Sequence, residues 1–361
     1  MARQWNSHPL LVTFCLLALW FGKKQWVIGE PVAPCFFIFG DSLVDGGNNN
    51  FLNTAAKVDY LPYGVDFPGG PTGRFSNGKT VADVISESEF GLVKTFKPTA
   101  ERLGLPNYIP AFASAIPATG LLQGVNYASG SAGILVETGK FQGNNIDLSK
   151  QLSNHQVTVS RFGEVLGNEE AVSNRLKQCL YYVNIGSNDY INNYFLPQFS
   201  NASKEYSPGI FAFRLVGRYY EQIKTLYNLG ARKIALAGIS KIGCTPFAKT
   251  IAGRKGCVDS QNEAVVPFNK LLRDLAGRLN QDFPDAKFVY LDTMAATDLL
   301  LRSLPNTQEP CCQVQTVGLC IPNGTFCDQR DTYVYWDAFH PTQAANYIVG
   351  PFLYQTLKQI L

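Results

Sequence analysis

The sequence contains a serine directly after an apolar run and, near its other end, an aspartate three residues before a histidine. Ser42 follows "CFFIFGD", and Asp337 and His340 lie in "WDAFHPT". A serine hydroxyl becomes an effective nucleophile when a general base removes its proton, and histidine is the usual base because its pKa lies near neutral pH. An aspartate at this spacing can reach the imidazole, fix its tautomer and stabilise its protonated form. These residues therefore predict a Ser-His-Asp set for nucleophilic catalysis.

The general base can be sought among only three histidines. His8 lies in an N-terminal segment that we expect to be removed. His155 lies in "LSNHQVTVSRF", an amphipathic stretch without a nearby carboxylate, which is typical of a surface or helix-packing histidine. His340 is the remaining candidate, and its alternative interpretation is a partly exposed histidine beside an aspartate that caps a helix.

Acyl transfer also needs hydrogen-bond donors for the developing oxyanion. The candidates are the backbone amides of Ser42 and Gly130 and the side-chain amide of Asn188, each of which follows an apolar run. Taken singly, Gly130 could be a strand-ending turn, and Asn188 could be a turn residue whose side chain bonds its own backbone. Their recurrence after three consecutive runs favours a functional interpretation.

Five short apolar runs predict the elements that position these residues. They are "CFFIFG" from Cys35, "GVNYAS" from Gly124, "LYYVNIG" from Leu180, "RKIALAGI" from Arg232 and "KFVYLD" from Lys287. Their β-branched and aromatic content predicts buried parallel strands. Helical patterns separate the later runs, for example from Pro208 to a stop at Gly230, so we expect an α/β fold with helices on both faces of a parallel sheet. Ligands of such sheets bind beyond the carboxyl ends of the strands.

Residues 1–29 are typical of a secretory signal peptide, because Arg3 precedes an apolar run that is too short to span a bilayer. An uncleaved membrane anchor is the alternative. Residues 30–361 show no repeat or linker, and we expect one secreted, extracellular and monomeric domain. Without Arg3, Lys23 and Lys24, the 31 basic residues fall to 28 against 28 acidic residues, so the charge does not favour a nucleic-acid partner.

Eight of the nine cysteines lie outside the predicted signal peptide, and this even number predicts disulfides in an oxidising compartment. Cys244 with Cys257 would close a short loop, and the cysteines from 311 to 327 would staple another. A zinc site is the alternative, but the sequence has no Cys-x-x-Cys pair and few histidines, so we expect no metal. The sequence also has no phosphate-binding P-loop, and we expect no cofactor. Two sequons, at Asn201 and Asn323, predict N-glycosylation.

The motifs resemble, in order, those of the plant-type GDSL esterase/lipases of the SGNH hydrolase superfamily. "FIFGDSLVDGGNNN" contains Ser42, "GVNYASGSAGI" contains Gly130, "VNIGSNDY" contains Asn188, and "WDAFHPT" contains Asp337 and His340. The resemblance implies a three-layer α/β/α, flavodoxin-like fold with a five-stranded parallel sheet. It also implies a metal-independent hydrolase of carboxylic esters of lipids or related acyl esters. In this family pattern Ser42 attacks, His340 is the base, Asp337 orients it, and Ser42, Gly130 and Asn188 supply the oxyanion hole.

Two further features accompany the resemblance. Asp41 and Asp189 match motif positions, and we interpret them as groups that fix loops. Residues 88–101, "SEFGLVKTFKPTAE", interrupt the family pattern, in which "TVADVISE" runs almost directly into "LGLPNYIP". The insertion is either an artefact of the gene model, from a translated intron or a mispredicted exon boundary, or a real lid loop, and we favour the artefact.

Two other functions are alternatives to ester hydrolysis. A secreted lipid- or glycan-binding protein with weak catalysis could keep the same scaffold, particularly if the insertion damages it. A metal-dependent phosphoesterase would need more histidine and aspartate ligands than two mature histidines supply.

Overall fold

Four parallel strands form the central sheet of the computed structural model, which describes Met1 and residues 31–87, 103–114 and 116–361. The strands are β1 (Phe36–Gly40), β2 (Leu180–Asn184), β3 (Lys233–Ala237) and β4 (Lys287–Leu291). They lie side by side in that order, with Phe36 of β1 opposite Leu180 of β2. A separate parallel pair consists of β5 (Asn306–Pro310) and β6 (Tyr333–Tyr335).

The fifth predicted strand is an irregular segment beside β1. The Tyr127 amide donates to the carbonyl of Ile38, and the Ile38 amide donates to the carbonyl of Val125. Gly124 has a φ of 115°, and a Cβ there would lie 1.9 Å from the Phe36 carbonyl oxygen, so the approach to β1 requires glycine. With this segment in second place the order is 2-1-3-4-5, as in flavodoxin-like sheets. The predicted α/β fold is confirmed, with four regular strands and one irregular segment in place of five strands.

Helices cover both faces of the sheet. They are α1 (Val81–Ser86), α2 (Ala118–Leu121), α3 (Leu148–Leu166), α4 (Glu169–Gln178), α5 (Ala202–Glu205), α6 (Pro208–Asn228), α7 (Pro246–Ile251), α8 (Asp259–Asp282), α9 (Thr293–Ser303) and α10 (Gln343–Leu357). Shorter helical turns are the 3₁₀ segments Asn48–Phe51, Lys140–Gln142, Ile242–Cys244 and Arg330–Thr332 and the π segment Asp189–Tyr194.

Alternate strand residues divide between two cores. Phe37 and Phe39 of β1 pack in the core that α3, α6 and α8 cover, whereas Phe36 and Ile38 pack in the core that α1, α9 and α10 cover. This is the two-residue period of a strand that is buried on both faces. The near-continuous apolar runs of the sequence therefore have a direct structural cause.

The eight cysteines form four disulfides, which confirms the predicted oxidised state. The pairs are Cys35–Cys179, Cys244–Cys257, Cys311–Cys327 and Cys312–Cys320. The first pair joins the residues that immediately precede β1 and β2. Backbone contacts group Pro31–Leu361 into one compact unit.

Two predicted segments fall outside the described residues: the signal peptide, apart from Met1, and the insertion at 88–101. Among the helices of the described ranges, none has both the length and the apolar character that crossing a membrane requires.

Candidate active site

Ser42, His340 and Asp337 form one hydrogen-bonded chain at the carboxyl end of β1. The Ser42 hydroxyl donates to His340 Nε2 at 2.8 Å. His340 Nδ1–H donates to the Asp337 carboxylate, with Oδ1 at 2.9 Å and Oδ2 at 2.8 Å. All three residues are buried, and Asp337 has no exposed surface. The carboxylate thus favours the tautomer in which the unprotonated Nε2 of His340 accepts the hydrogen bond from Ser42.

The turn between β6 and α10 explains how a spacing of three residues brings Asp337 to His340. Asp337 Oδ1 accepts hydrogen bonds from the backbone amides of Phe339 and His340, both at 2.8 Å. α10 starts after Thr342, whose side chain accepts from the amide of Ala345. The helix cap and the aspartate turn together fix the backbone on both sides of the imidazole.

Tyr63 completes the surroundings of Asp337 and is absent from the residues predicted from the sequence. Its hydroxyl donates to Asp337 Oδ2 at 2.6 Å and accepts from the Cys320 amide at 3.0 Å. Burial and the neighbouring carboxylate raise the pKa of Tyr63 well above its ordinary value, so the phenol remains a donor. The sequence separation of 274 between Tyr63 and Asp337 leaves no local sequence signal for this contact.

The side-chain amide of Asn188 is buried and held by two hydrogen bonds. One of its N–H groups donates to the carbonyl of Ala132 at 3.0 Å, while its Oδ1 accepts from Asn192 at 2.8 Å. These bonds fix the orientation of the amide, whose nitrogen carries a second proton. Asn188 and Ser42 line the same cavity.

The Gly130 amide is already engaged by a carboxylate. It donates to Asp45 Oδ2 at 3.0 Å, and Asp45 Oδ1 accepts from the amides of Gly47 and Asn48. Burial raises the pKa of Asp45 to about 6. A Cβ at position 130 would lie 2.6 Å from the Phe75 ring, so close packing requires glycine there. The role of Gly130 as an oxyanion donor stays a prediction, since its proton has a partner in this structure.

The two aspartates interpreted as loop-fixing groups differ in their surroundings. Asp189 accepts from the amides of Ile134 and Leu135 and from the hydroxyl of Thr138, so it joins two loops. Asp41 Oδ1 accepts from the Leu43 amide at 3.0 Å, but within the described ranges its buried Oδ2 has no hydrogen-bond partner. Burial raises the pKa of Asp41 to about 7. This effect is larger than the opposing effects of the Leu43 amide and of His340, which lower the pKa.

His155 is a helix-packing histidine of the core. Its Nδ1 lies 3.1 Å from the hydroxyl of Tyr127, and its ring packs edge-on against Phe37 and Phe39. Burial lowers the pKa of His155 to about 3, which keeps the imidazole neutral. The sequence predicted either a surface histidine or a helix-packing histidine. The surface position is wrong, and the helix-packing position is confirmed.

A cavity of about 710 Å³ opens beside Ser42 and His340. This volume is typical of small-molecule sites. Its walls are largely apolar, and Asp41 and His340 are the only ionisable side chains among the described residues that line it. The cavity can therefore receive a neutral, apolar molecule with its reacting atom at the serine. Within 31–87, 103–114 and 116–361, no three His, Cys, Asp or Glu residues are grouped to hold a metal ion.

Comparison with known proteins identifies the family of the chain. The family model for GDSL-like lipase/acylhydrolase matches residues 36–351. A GDSL esterase/lipase of Arabidopsis thaliana is 45% identical over 346 residues, which cover 92% of this chain and 91% of the relative. A second from the same plant is 46% identical over 332 residues, covering 89% of this chain and 86% of the relative. Matched over most of its length by both comparisons, the chain belongs to the GDSL lipase/acylhydrolase family.

Proposed function

We propose that the protein hydrolyses carboxylic esters through an acyl-serine intermediate. The observation that carries the proposal is the 2.8 Å distance between Ser42 Oγ and His340 Nε2, which suits direct proton transfer. The names of the Arabidopsis relatives, esterase/lipases, support the same reaction class. The apolar cavity supports a small-molecule acyl ester or lipid as the substrate.

In the proposed acylation, Ser42 Oγ attacks the ester carbonyl carbon as its proton passes to His340 Nε2. The Asp337 carboxylate stabilises the imidazolium. The bond to the alcohol oxygen then breaks, and His340 gives its proton to that oxygen. Ser42 is left acylated and the alcohol departs.

In the proposed deacylation, water attacks the acyl carbon and gives its proton to His340. The bond to Ser42 Oγ breaks, the serine recovers its proton and the carboxylic acid leaves. We assign the oxyanion in both steps to the Ser42 amide, the second N–H of Asn188 and the Gly130 amide. The Gly130 amide would share its proton between this oxyanion and Asp45, its present partner.

We further propose a secreted, extracellular and monomeric protein of one domain over residues 30–361. The predicted signal peptide and the four disulfides support an oxidising compartment. Asn201 and Asn323, the proposed glycosylation sites, are both exposed. Exposure is what attachment of a glycan requires.

The experiment compares Ser42→Ala with Ser303→Ala, whose hydroxyl donates to the Leu299 carbonyl of its own helix. We expect Ser42→Ala to lower the kcat for a soluble p-nitrophenyl ester by at least about a thousandfold, and Ser303→Ala to keep it. A Ser42→Ala protein with wild-type activity would refute the assignment. An inactive wild-type protein that melts cooperatively and binds lipid would support the binding-protein alternative instead.

A further inference from the structure

Four large apolar side chains at the mouth of the cavity are exposed to solvent. Phe141, Phe199, Ile251 and Val317 all line the cavity beside Ser42. Their exposed fractions are 43%, 57%, 69% and 57%. Single exposed apolar residues are common on protein surfaces, but several around one opening indicate a binding surface. We call these four residues the apolar rim.

Two members of the apolar rim support each other. Phe141 lies in the 3₁₀ segment Lys140–Gln142, and Phe199 follows the π segment Asp189–Tyr194 in the chain. Their rings stack with centroids 4.3 Å apart and planes only 5° from parallel. The stacking holds both rings at the surface, although neither is buried in the core.

Disulfides enclose the other two members of the apolar rim. Ile251 ends α7 inside the loop that Cys244–Cys257 closes, with a sequence separation of 13 residues. Val317 lies inside the loop that Cys312–Cys320 closes, with a separation of 8 residues. Short crosslinked loops have few conformations, so the two side chains are presented in a nearly fixed arrangement. A preorganised surface loses less conformational entropy when it binds.

The charges of the site limit which surface the apolar rim can bind. No Lys or Arg occurs among the described residues that line the cavity, and these are the side chains that bind anionic lipid headgroups. Phenylalanine, isoleucine and valine instead gain from leaving water for an apolar phase. A neutral lipid surface is therefore the partner that matches the apolar rim.

We propose that the apolar rim adsorbs the protein to the surface of neutral lipid aggregates and that the substrate is an acyl ester held in such a phase. The cavity opens at the apolar rim, so an ester could pass from the lipid surface to Ser42 without crossing bulk water. The part of this proposal that concerns the substrate rests on the proposed ester hydrolysis. Adsorption does not need turnover, so it can be tested separately.

The test measures flotation of the full chain with triolein droplets coated with phosphatidylcholine. The rim variant is Phe199→Ser with Ile251→Ser. The matched control is Phe213→Ser with Val157→Ser, whose side chains are 71% and 51% exposed but do not line the cavity. We expect the rim variant to partition into the droplet layer at least about tenfold less than wild type, and the control to partition equally. Near-ultraviolet circular dichroism verifies the fold of both variants.

A second readout compares two esters. We expect the rim variant to lose more activity on emulsified triolein than on monomeric p-nitrophenyl acetate. Equal flotation of the rim variant and wild type would overturn the proposal, as would wild-type binding to phosphatidylserine vesicles but not to neutral droplets. Self-association of the wild type that disappears in the rim variant would assign the surface to a second copy of the chain. If wild type and Ser42→Ala float equally but neither hydrolyses esters, adsorption stands and the proposed reaction fails.

Discussion

Replacing Tyr63 by phenylalanine removes one oxygen atom from the surroundings of Asp337. The lost hydroxyl donates to Asp337 Oδ2 at 2.6 Å and accepts from the Cys320 amide at 3.0 Å. The ring contacts remain possible, because the tyrosine packs edge-on against Tyr60 and Phe75 through its aromatic carbons. The substitution therefore isolates two buried hydrogen bonds.

The magnitude follows from the kinds of bond that are lost. A hydrogen bond to a charged group contributes roughly 1.5–3 kcal/mol, and a neutral one about 0.5–1.5 kcal/mol. We expect the Tyr63→Phe protein to lose about 2–4.5 kcal/mol of unfolding free energy. The Phe339 and His340 amides and the imidazole still bind Asp337, so we expect kcat to fall only about tenfold, equivalent to about 1.4 kcal/mol. We expect KM to remain unchanged, since Tyr63 does not line the cavity.

Denaturant unfolding followed by circular dichroism measures the stability, and hydrolysis of a soluble p-nitrophenyl ester measures kcat and KM. The matched control is Tyr60→Phe, because the Tyr60 hydroxyl donates to the Cys320 carbonyl at 3.0 Å and does not bind Asp337. We expect this control to lose about 0.5–1.5 kcal/mol and to keep its kcat. Equal stability and equal kcat in the two variants would refute the positioning role of Tyr63.

Three other substitutions have expected outcomes. Burial raises the pKa of Asp41 from 3.8 to about 7, so its contribution to stability is lost as pH rises through 7. The stability of the Asp41→Asn protein should therefore increase relative to that of wild type between pH 4 and 8. A difference in melting temperature that stays constant over this pH range would contradict this. Burial lowers the pKa of His155 from 6.5 to about 3, so its contribution to stability is lost as pH falls. As the pH falls from 6.5 to 4, the His155→Gln protein should therefore lose less stability than wild type. It should also remain active at pH 8. Gly130→Ala places a Cβ 2.6 Å from the Phe75 ring and 2.7 Å from Asn49 Nδ2, and should lower kcat by about a hundredfold or more; wild-type kcat and stability would speak against the packing at this position.

The regular part of the sheet could be predicted because strands buried on both faces leave near-continuous apolar runs in the sequence. Four of the five predicted runs coincide with β1 to β4. The run from Gly124 differs because it bonds on its other side to residues 110–112 and turns through a positive φ at Gly124. Residue types do not report such backbone irregularity. The helix from Pro208 ends at Asn228, close to the predicted stop at Gly230, because amphipathic spacing and glycine both act locally.

The grouping of Ser42, Asp337 and His340 could also be predicted, since each lies in a short motif and the histidines are few. The contacts that surround them could not. Tyr63 reaches Asp337 across 274 residues, and the Gly130 amide meets Asp45 across 85 residues. Such pairings depend on how loops from distant strands converge, which local spacing does not encode. The same reason hid the Cys35–Cys179 pairing, with its separation of 144 residues.

Covalent capture of the nucleophile tests the proposed reaction most directly. The intact protein is treated with a fluorophosphonate, digested and analysed by peptide mass spectrometry while the loss of esterase activity is followed in parallel. We predict one adduct per chain, on Ser42, formed at the rate of inactivation, and much slower labelling of a His340→Ala variant. Complete inactivation with Ser42 unmodified, or an adduct on Ser187 or Ser240, which also line the cavity, would contradict the assignment.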